Sequence, residues 1–232
     1  MRPVSRKAHA KANLSLKVLG RRADGLHALE SLVAPISLAD VVTVHHELRD
    51  ETHFERNILR VYGLPMSDLA ARAAWAYGQA HGIVGSILVG LDKRIPTAAG
   101  LGGGSSDAAA VLALLESHFG LPAPADLPFA LGCDVPFFRT STPAWMTGAG
   151  ENVTPVELPR IALVVATPSA FLLTKDVFAE WDRSPLTETE SNGINFAPCD
   201  SYEPPSDVQH FSGVTDVAAW IRRVGNDLRG AA

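Results

Sequence analysis

The segment PTAAGLGGGSSD, residues 96–107, decides which fold this chain of 232 residues can adopt. It follows a short apolar run at residues 86–91 that predicts a β-strand, and residues 107–119 after it carry apolar side chains at helical spacing. Its four glycines let the backbone approach a ligand closely, and the free N–H groups at the start of the helix would point at that ligand with the positive end of the helix dipole. The segment therefore predicts a phosphate site, in which Ser105 and Ser106 offer hydroxyl groups to phosphate oxygens or to Mg²⁺.

Two better-known phosphate loops do not match this segment. The pattern GxxxxGK[ST] requires a lysine after its second glycine, and the pattern GxGxxG fails because Ser105 stands where the last glycine should be. Ser106 or Asp107 is expected to cap the helix that follows. The residues alone leave one alternative open, a flexible turn whose glycines serve tight packing.

Composition and charge indicate a globular chain without a nucleic-acid or membrane partner. Hydrophobic residues make up 47% and charged residues 19%, which is typical of a chain with a packed core. The net charge of -5 and the pI of about 5.9 do not suggest nucleic-acid binding, and no apolar run approaches the ~20 residues that span a bilayer. Cys133 and Cys199 form neither a disulfide framework nor a metal-like spacing, so a cytoplasmic setting is expected, and the oligomeric state stays open.

Periodicity predicts the remaining elements. Residues 11–18 alternate strictly between polar and apolar side chains, which predicts a half-buried strand with Lys11 and Asn13 on its polar face. Further strands are predicted at residues 27–36, 41–46 and 161–166, and helices at residues 67–81, 174–181 and around Val217, Trp220, Ile221 and Val224. We place a domain boundary near residue 155.

Lys11 and Asp134 are the charged candidates for chemistry. Phosphoryl transfer needs a group that orients or deprotonates the attacking hydroxyl and cations that hold the developing charge, and an Asp–Lys pair with Mg²⁺ would supply both. Asp134 lies in the apolar stretch GCDVPFF, residues 132–138, where an acid must be paired, hydrogen-bonded or functional. Simpler roles stay open: an exposed strand lysine for Lys11, and a helix cap or turn for Asp134. His45 and His46 face opposite sides of a strand, so no protein-bound metal site is predicted.

Three blocks of the sequence together resemble one family. They are AKANLSL at residues 10–16 with GRRADGLH at residues 20–27, then IPTAAGLGGGSSDAA at residues 95–109, and LGCDVPFF at residues 131–138. In this order and at this spacing the blocks resemble the GHMP small-molecule kinases.

This resemblance implies an α+β fold with a two-domain GHMP-kinase-like architecture and the site in the cleft between the domains. Residues 1–155 would form an N-terminal domain like the second domain of ribosomal protein S5, with the ATP-binding glycine loop. Residues 156–232 would form a ferredoxin-like C-terminal domain.

The resemblance also implies site residues, with ATP and Mg²⁺ as cofactors and a cytidine-diphospho sugar alcohol of isoprenoid (terpenoid) biosynthesis as the substrate. Lys11 and Asp134 match the family's catalytic pair, in which the aspartate takes the proton from the substrate's 2-hydroxyl and the lysine orients it and offsets phosphate charge. Asn13 and His27 match positions that hold the substrate, and Phe178 matches an aromatic that stacks on the cytosine. The ATP phosphates would lie against Pro96, Thr97, Ala98, Ala99, Gly100, Leu101, Gly102, Gly103, Gly104, Ser105 and Ser106.

The chain departs from the family pattern in several places. Leu26 stands where the family often has a tyrosine against the cytosine, and Asp68 stands where an asparagine near the adenine is expected. The family continues the helix that begins around residues 224–228 and adds a third glycine-rich motif and a closing strand. The sequence ends at Ala232 without them, so the C-terminal domain is expected to be incomplete. The alternatives are therefore a nucleotide-binding homologue with lost or reduced catalysis, and a GHMP kinase for another small alcohol.

Overall fold

The computed structural model describes residues 2–48, 59–166, 174–183, 204–205, 208 and 211–230. Strands and helices mix along the chain, as expected for the predicted α+β class. The strands are β1 (Val4–Asn13), β2 (Lys17–Arg21), β3 (His27–Glu47), β4 (Leu59–Tyr62), β5 (Gly85–Asp92), β6 (Ala144–Gly148) and β7 (Asn152–Pro155). The helices are α1 (Leu69–Ala80), α2 (Gly103–Phe119), α3 (Leu127–Leu131), α4 (Val135–Thr140), α5 (Thr174–Arg183) and α6 (Val214–Val224), and a 3-10 turn covers Asp227–Gly230.

The long strand β3 organises the sheet, whose strand order is β4-β5-β3-β6-β7, while β1 and β2 also pair with β3. One half of β3 runs antiparallel to β6 and the other half antiparallel to β5. The prediction of two strands at residues 27–36 and 41–46 is wrong, because the chain continues as one strand of 21 residues. Asp40, a polar residue inside that stretch, does not break the strand because its carboxylate accepts hydrogen bonds from Lys93 and two backbone N–H groups.

Contacts between Cα atoms divide the chain into two compact units, each of which is made of several separate segments of the sequence. The first unit comprises residues 1–10, 36–95 and 102–141, and the second comprises residues 11–35, 96–101 and 142–232. The domain boundary near residue 155 stays a prediction. Among the helices that the structure describes, none combines the length and apolar character needed to cross a membrane.

The core of the first unit lies between the two longest helices and the sheet. The predicted helix at residues 67–81 is confirmed as α1, which begins after Asp68 because that carboxylate accepts a hydrogen bond of 2.8 Å from the N–H of Ala70. Tyr77 on α1 is fully buried, and its hydroxyl donates to the carbonyl of Leu121 at 2.7 Å. Ile87, Val89, Val111, Leu112 and Leu115 complete this core.

The second unit has its own core around two tryptophans. Trp145 on β6 and Trp220 on α6 approach edge to face, with ring centroids 6.2 Å apart. Leu14, Leu32, Val208 and Val217 are buried around them. The amphipathic helix predicted around Val217 is therefore confirmed as α6, and the helix predicted at residues 174–181 is confirmed as α5.

Two predicted strands of the second unit are wrong. Residues 161–166 form no strand, and Val164 is 99% exposed, because an apolar run becomes a strand only where a partner offers a ladder of hydrogen bonds. The predicted strand at residues 11–18 is split: β1 ends at Asn13 and β2 begins at Lys17. Between them Leu14, Ser15 and Leu16 are all buried. Ser15 can be buried because its Oγ accepts a hydrogen bond from the N–H of Leu32.

Candidate functional site

The glycine-rich segment begins in the second unit, at residues 96–101. Ala98 and Gly100 have positive φ angles of 58° and 71°, a region that glycine adopts without cost and alanine does not. The carbonyl of Leu101 accepts a hydrogen bond of 2.9 Å from the N–H of Lys11. The structure therefore places Lys11 directly beside this segment.

The segment continues in the first unit as the start of α2, which begins at Gly103 and not at residue 107 as predicted. Gly102 is the residue before the helix, with φ 70°, and no side chain caps the first turn. The predicted cap at Ser106 or Asp107 is wrong because Gly103–Ser106 already form that turn. A Cβ atom added at Gly104 would meet nothing within 4 Å, so there is open space at this position of the first turn. This helix start can accept an anion.

The two serines of the segment have different surroundings. Ser106 is buried, and its hydroxyl donates to the carbonyl of His9 at 2.7 Å. Ser105 is half-buried, and its Oγ lies 3.7 Å from the position of a Cβ atom added at Gly132. Ser105 is thus the serine that lies beside the chain leading into Asp134.

Asp134 is the residue before α4 in the first unit. It is half-buried, and its side chain makes no capping hydrogen bond to that helix. The position is the helix-cap position that the sequence left open as an alternative, but the carboxylate does not perform the capping role.

Lys11 and Asn13 lie together in the second unit. Lys11 is only 6% exposed, so the alternative of an exposed strand lysine is wrong. Its Nζ donates to Asn13 Oδ1 at 3.2 Å. The buried hydroxyl of Ser31 donates to the carbonyl of Ser15 at 2.5 Å and lies 3.4 Å from the same Asn13 oxygen. Because a lysine can only donate, the amide oxygen of Asn13 must face Lys11 and its NH₂ group must face away.

His27 and Phe178 are also brought together in the second unit. The two rings stack with centroids 4.6 Å apart and planes inclined by 17°. Two neighbours on α5 complete the contact. Trp181 meets His27 edge-on at 5.7 Å, and the Oδ1 atom of Asp182, a residue that the sequence did not single out, lies 2.7 Å from His27 Nε2. For Trp181, the spacing of three residues from Phe178 on the helix predicted at residues 174–181 was the available signal, whereas Asp182 lies one residue beyond that predicted helix.

The sequence also missed an ion cluster beneath the first turn of α2. Lys93 Nζ donates to Asp107 Oδ2 at 2.7 Å and also to Asp40 Oδ2. The Nζ atom lies 3.4 Å from the position of a Cβ atom added at Gly103. The cluster therefore supports the residue at which the helix begins.

The two carboxyl groups of the cluster titrate differently. Burial raises the pKa of Asp107 to about 6, although Lys93 opposes this, and its Oδ1 has no hydrogen-bond partner among the described residues. Burial acts in the same direction on Asp40, but hydrogen bonds from the N–H of Ile95, from Lys93 and from the N–H of Arg94 outweigh it and lower the pKa of Asp40. As pH falls, Asp107 is therefore protonated before Asp40.

This difference predicts a pH dependence of stability. The folded state holds the proton of Asp107 up to a pKa of about 6, whereas an unfolded chain loses it near the ordinary value of 3.8. The contribution of Asp107 to the free energy of unfolding therefore falls as pH rises between these values, by an amount on the order of 2 kcal/mol. Urea unfolding measures the free energy of unfolding of the wild type and of Asp107→Asn. The difference between the two values should decline as pH rises over this range and stay constant above it. A difference independent of pH would contradict the prediction.

Across the described residues, no group of three or more His, Cys, Asp or Glu side chains could hold a metal ion.

Comparison with known proteins identifies the family of this chain. The family model described as the GHMP kinases N terminal domain matches residues 68–136, which include α2 and Asp134. A 4-diphosphocytidyl-2-C-methyl-D-erythritol kinase from Parvibaculum lavamentivorans is 38% identical over 235 residues, covering 97% of this chain and 75% of the relative. The chain belongs to the GHMP kinase family. A protein of the same name from Polaromonas sp. (strain JS666) is 44% identical over 195 residues, covering 78% of this chain.

This chain spans 62% and 64% of the length of two Polaromonas relatives. Among solved structures, it resembles a 4-(cytidine 5'-diphospho)-2C-methyl-D-erythritol kinase with a TM-score of 0.58 and 42% identity, covering 67% of this chain and 56% of that one. A mevalonate diphosphate decarboxylase from Legionella pneumophila aligns with a TM-score of 0.53 at 16% identity, which supports the shared fold alone. These comparisons confirm the predicted family and fold class.

Proposed function

We propose that this chain transfers the γ-phosphoryl group of ATP to the 2-hydroxyl of 4-diphosphocytidyl-2-C-methyl-D-erythritol, in non-mevalonate isoprenoid biosynthesis. The observation that carries the proposal is the uncapped first turn of α2, which is open at Gly104 and has Ser105 beside the chain leading into Asp134. A helix start of this kind suits a phosphate chain, and an acid nearby suits an acceptor hydroxyl. The relatives that match most of this chain carry the name of the same activity.

Each proposed residue has one task. The first-turn N–H groups of α2 and residues 96–101 hold the ATP phosphates. Asp134 accepts the proton of the 2-hydroxyl while the new O–P bond forms and the bond between the γ-phosphorus and the β,γ-bridging oxygen breaks, leaving ADP. Lys11 offers positive charge to the phosphoryl group, and Asn13 and His27 bind the substrate.

Mg²⁺ would neutralise phosphate charge when bound with ATP, and the Ser105 hydroxyl is an oxygen ligand of the kind it prefers. We place the reaction in the cytoplasm, because two cysteines without a framework suit a reducing compartment.

The test is an assay of the full chain with ATP, Mg²⁺ and a panel of alcohols. The panel contains the cytidine-diphospho substrate, homoserine, mevalonate and a hexose. ADP release that requires the cytidine compound, with a new phosphate monoester signal in ³¹P NMR, is the expected result. ATP binding without turnover would indicate a nucleotide-binding homologue, and turnover with another alcohol would indicate a different kinase; either outcome overturns the proposal.

The substitution Gly104→Ala should change the affinity for ATP without lowering the stability of the fold. Alanine is the better helix former, and its Cβ meets nothing within 4 Å, so thermal unfolding should occur at the same or a higher temperature. The methyl group would occupy the space through which a phosphate reaches the first-turn N–H groups, and the Kd for an ATP analogue should rise about tenfold or more. Gly90→Ala is the matched control, since among the described residues its Cβ would meet Thr43 Cβ alone, at the ordinary contact distance of 3.9 Å. An unchanged Kd in Gly104→Ala would place the phosphates elsewhere.

A further inference from the structure

Three side chains of helix α5 contact the imidazole of His27. Phe178 covers one face of the ring, Trp181 lies against it edge-on, and Asp182 reaches its Nε2 atom. Residues separated by three and four positions share a face of a helix, so one helix face holds the ring by stacking, by an edge contact and by a hydrogen bond. His27 is 11% exposed at its side chain, so little of the ring is left to water.

The contact with Asp182 determines where the ring carries its proton. A carboxylate only accepts hydrogen bonds, so the nitrogen at 2.7 Å from Asp182 Oδ1 must be the donor. Nε2 therefore holds the proton in the neutral ring, and Nδ1 is left with a lone pair. Without the carboxylate, either nitrogen could carry the proton, and the ring could present a donor or an acceptor.

We propose that Asp182 is a positioning residue that sets the base specificity of the site by holding His27 in the form whose Nδ1 accepts a hydrogen bond. The inference rests on the proposed function, in which His27 binds the substrate, and it assigns the contact of His27 to the cytosine base. Cytosine carries an exocyclic amino group, which donates to such a nitrogen. Uracil carries a carbonyl oxygen at the same place, and two lone pairs would then face each other. The site thus favours a base with an amino donor over one with a carbonyl.

The aromatic neighbours make this selection effective. A ring that could rotate by 180° would exchange its carbon and nitrogen atoms and lose the discrimination. The stack with Phe178 and the edge of Trp181 hold the plane of the ring, and the bond to Asp182 selects one of the two orientations within that plane. The acid acts only through His27, so its removal should change substrate recognition and leave the phosphoryl-transfer step intact.

The direct test is the tautomer of His27, measured by long-range ¹H–¹⁵N NMR on the full chain, with His27→Gln used to assign the signal. The wild type should show a protonated Nε2 and an unprotonated Nδ1. Asp182→Ala should show a mixture of the two forms, and Asp182→Asn should retain the wild-type form because its amide oxygen still accepts. Asp176→Ala, which removes another exposed acid from the same helix, should resemble the wild type. A wild-type spectrum in Asp182→Ala overturns the proposal.

The kinetic test compares the cytidine substrate with its uridine analogue. Asp182→Ala should raise KM for the cytidine compound about tenfold, leave kcat within about twofold, and reduce the preference for cytidine over uridine by a similar factor. Asp182→Asn should restore most of the preference. A KM that rises equally for both compounds would show a merely structural role and overturn the proposal. Absence of turnover in the wild type would refute the proposed function instead. The NMR test of the His27 tautomer does not depend on turnover and would still decide the role of Asp182.

Discussion

Asp134→Asn should reduce kcat for the cytidine substrate by about 10³-fold, because removal of a positioned proton acceptor costs on the order of 10² to 10⁴ in rate. The amide has the same shape and no negative charge, so it can neither accept the hydroxyl proton nor repel the phosphates. The Kd for an ATP analogue should therefore change by less than about threefold, since the effect lies in the transition state. Rapid-mix assays of ADP release and equilibrium titration with the analogue measure the two quantities.

A matched control for this substitution exists in the same unit. Asp126 also stands directly before a short helix, with a proline in the first turn and no capping hydrogen bond from its side chain. Asp126→Asn should leave kcat and the analogue Kd unchanged, so a shared loss in both variants would point to a general effect on the short helices. A kcat within tenfold of wild type in Asp134→Asn would remove this residue from the chemistry.

Elements with local signals could be predicted from the sequence. Helix α1 has a capping acid at Asp68 and many alanines, and α2 ends at Gly120, whose φ of 69° suits a residue without a Cβ atom. The start of α2 could not be placed because Gly103 and Gly104 have no side chains that show periodicity. That start depends on a tertiary contact: a Cβ atom at Gly103 would lie 3.0 Å from Ile95 Cγ2, so a glycine there lets the helix lie close to the segment that follows β5.

Features that depend on distant partners could not be predicted. The burial of Lys11 follows from its backbone bond to Leu101 and from the oxygen of Asn13, whereas its alternating neighbours indicated an exposed face. The strand expected at residues 161–166 had the right composition but no partner in the described part of the chain. Asp182 lies 155 positions from His27 in the sequence, so no local pattern could pair them.

Asp40→Ala should lower the free energy of unfolding by about 3 kcal/mol, which a urea titration can measure. Asp40 is completely buried in β3, where one oxygen accepts from the N–H groups of Arg94 and Ile95 and the other accepts from Lys93. Removing the carboxylate leaves those N–H groups without an acceptor and removes one of two anions that hold Lys93. Asp40→Asn retains an oxygen for the backbone groups, so its loss should be intermediate.

Asp92→Ala provides the control, because Asp92 is 62% exposed and pairs with the exposed Arg94 at 3.0 Å, a contact expected to contribute about 0.5 kcal/mol or less. Equal losses in Asp40→Ala and Asp92→Ala would show that the buried cluster does not stabilise the fold. The cluster also lies next to the proposed phosphate site, since Lys93 Nζ and Ile95 both contact the position of a Cβ atom added at Gly103. Asp40→Ala should therefore weaken binding of an ATP analogue even at temperatures where the chain stays folded, because the first turn of α2 loses the side chains on which it rests.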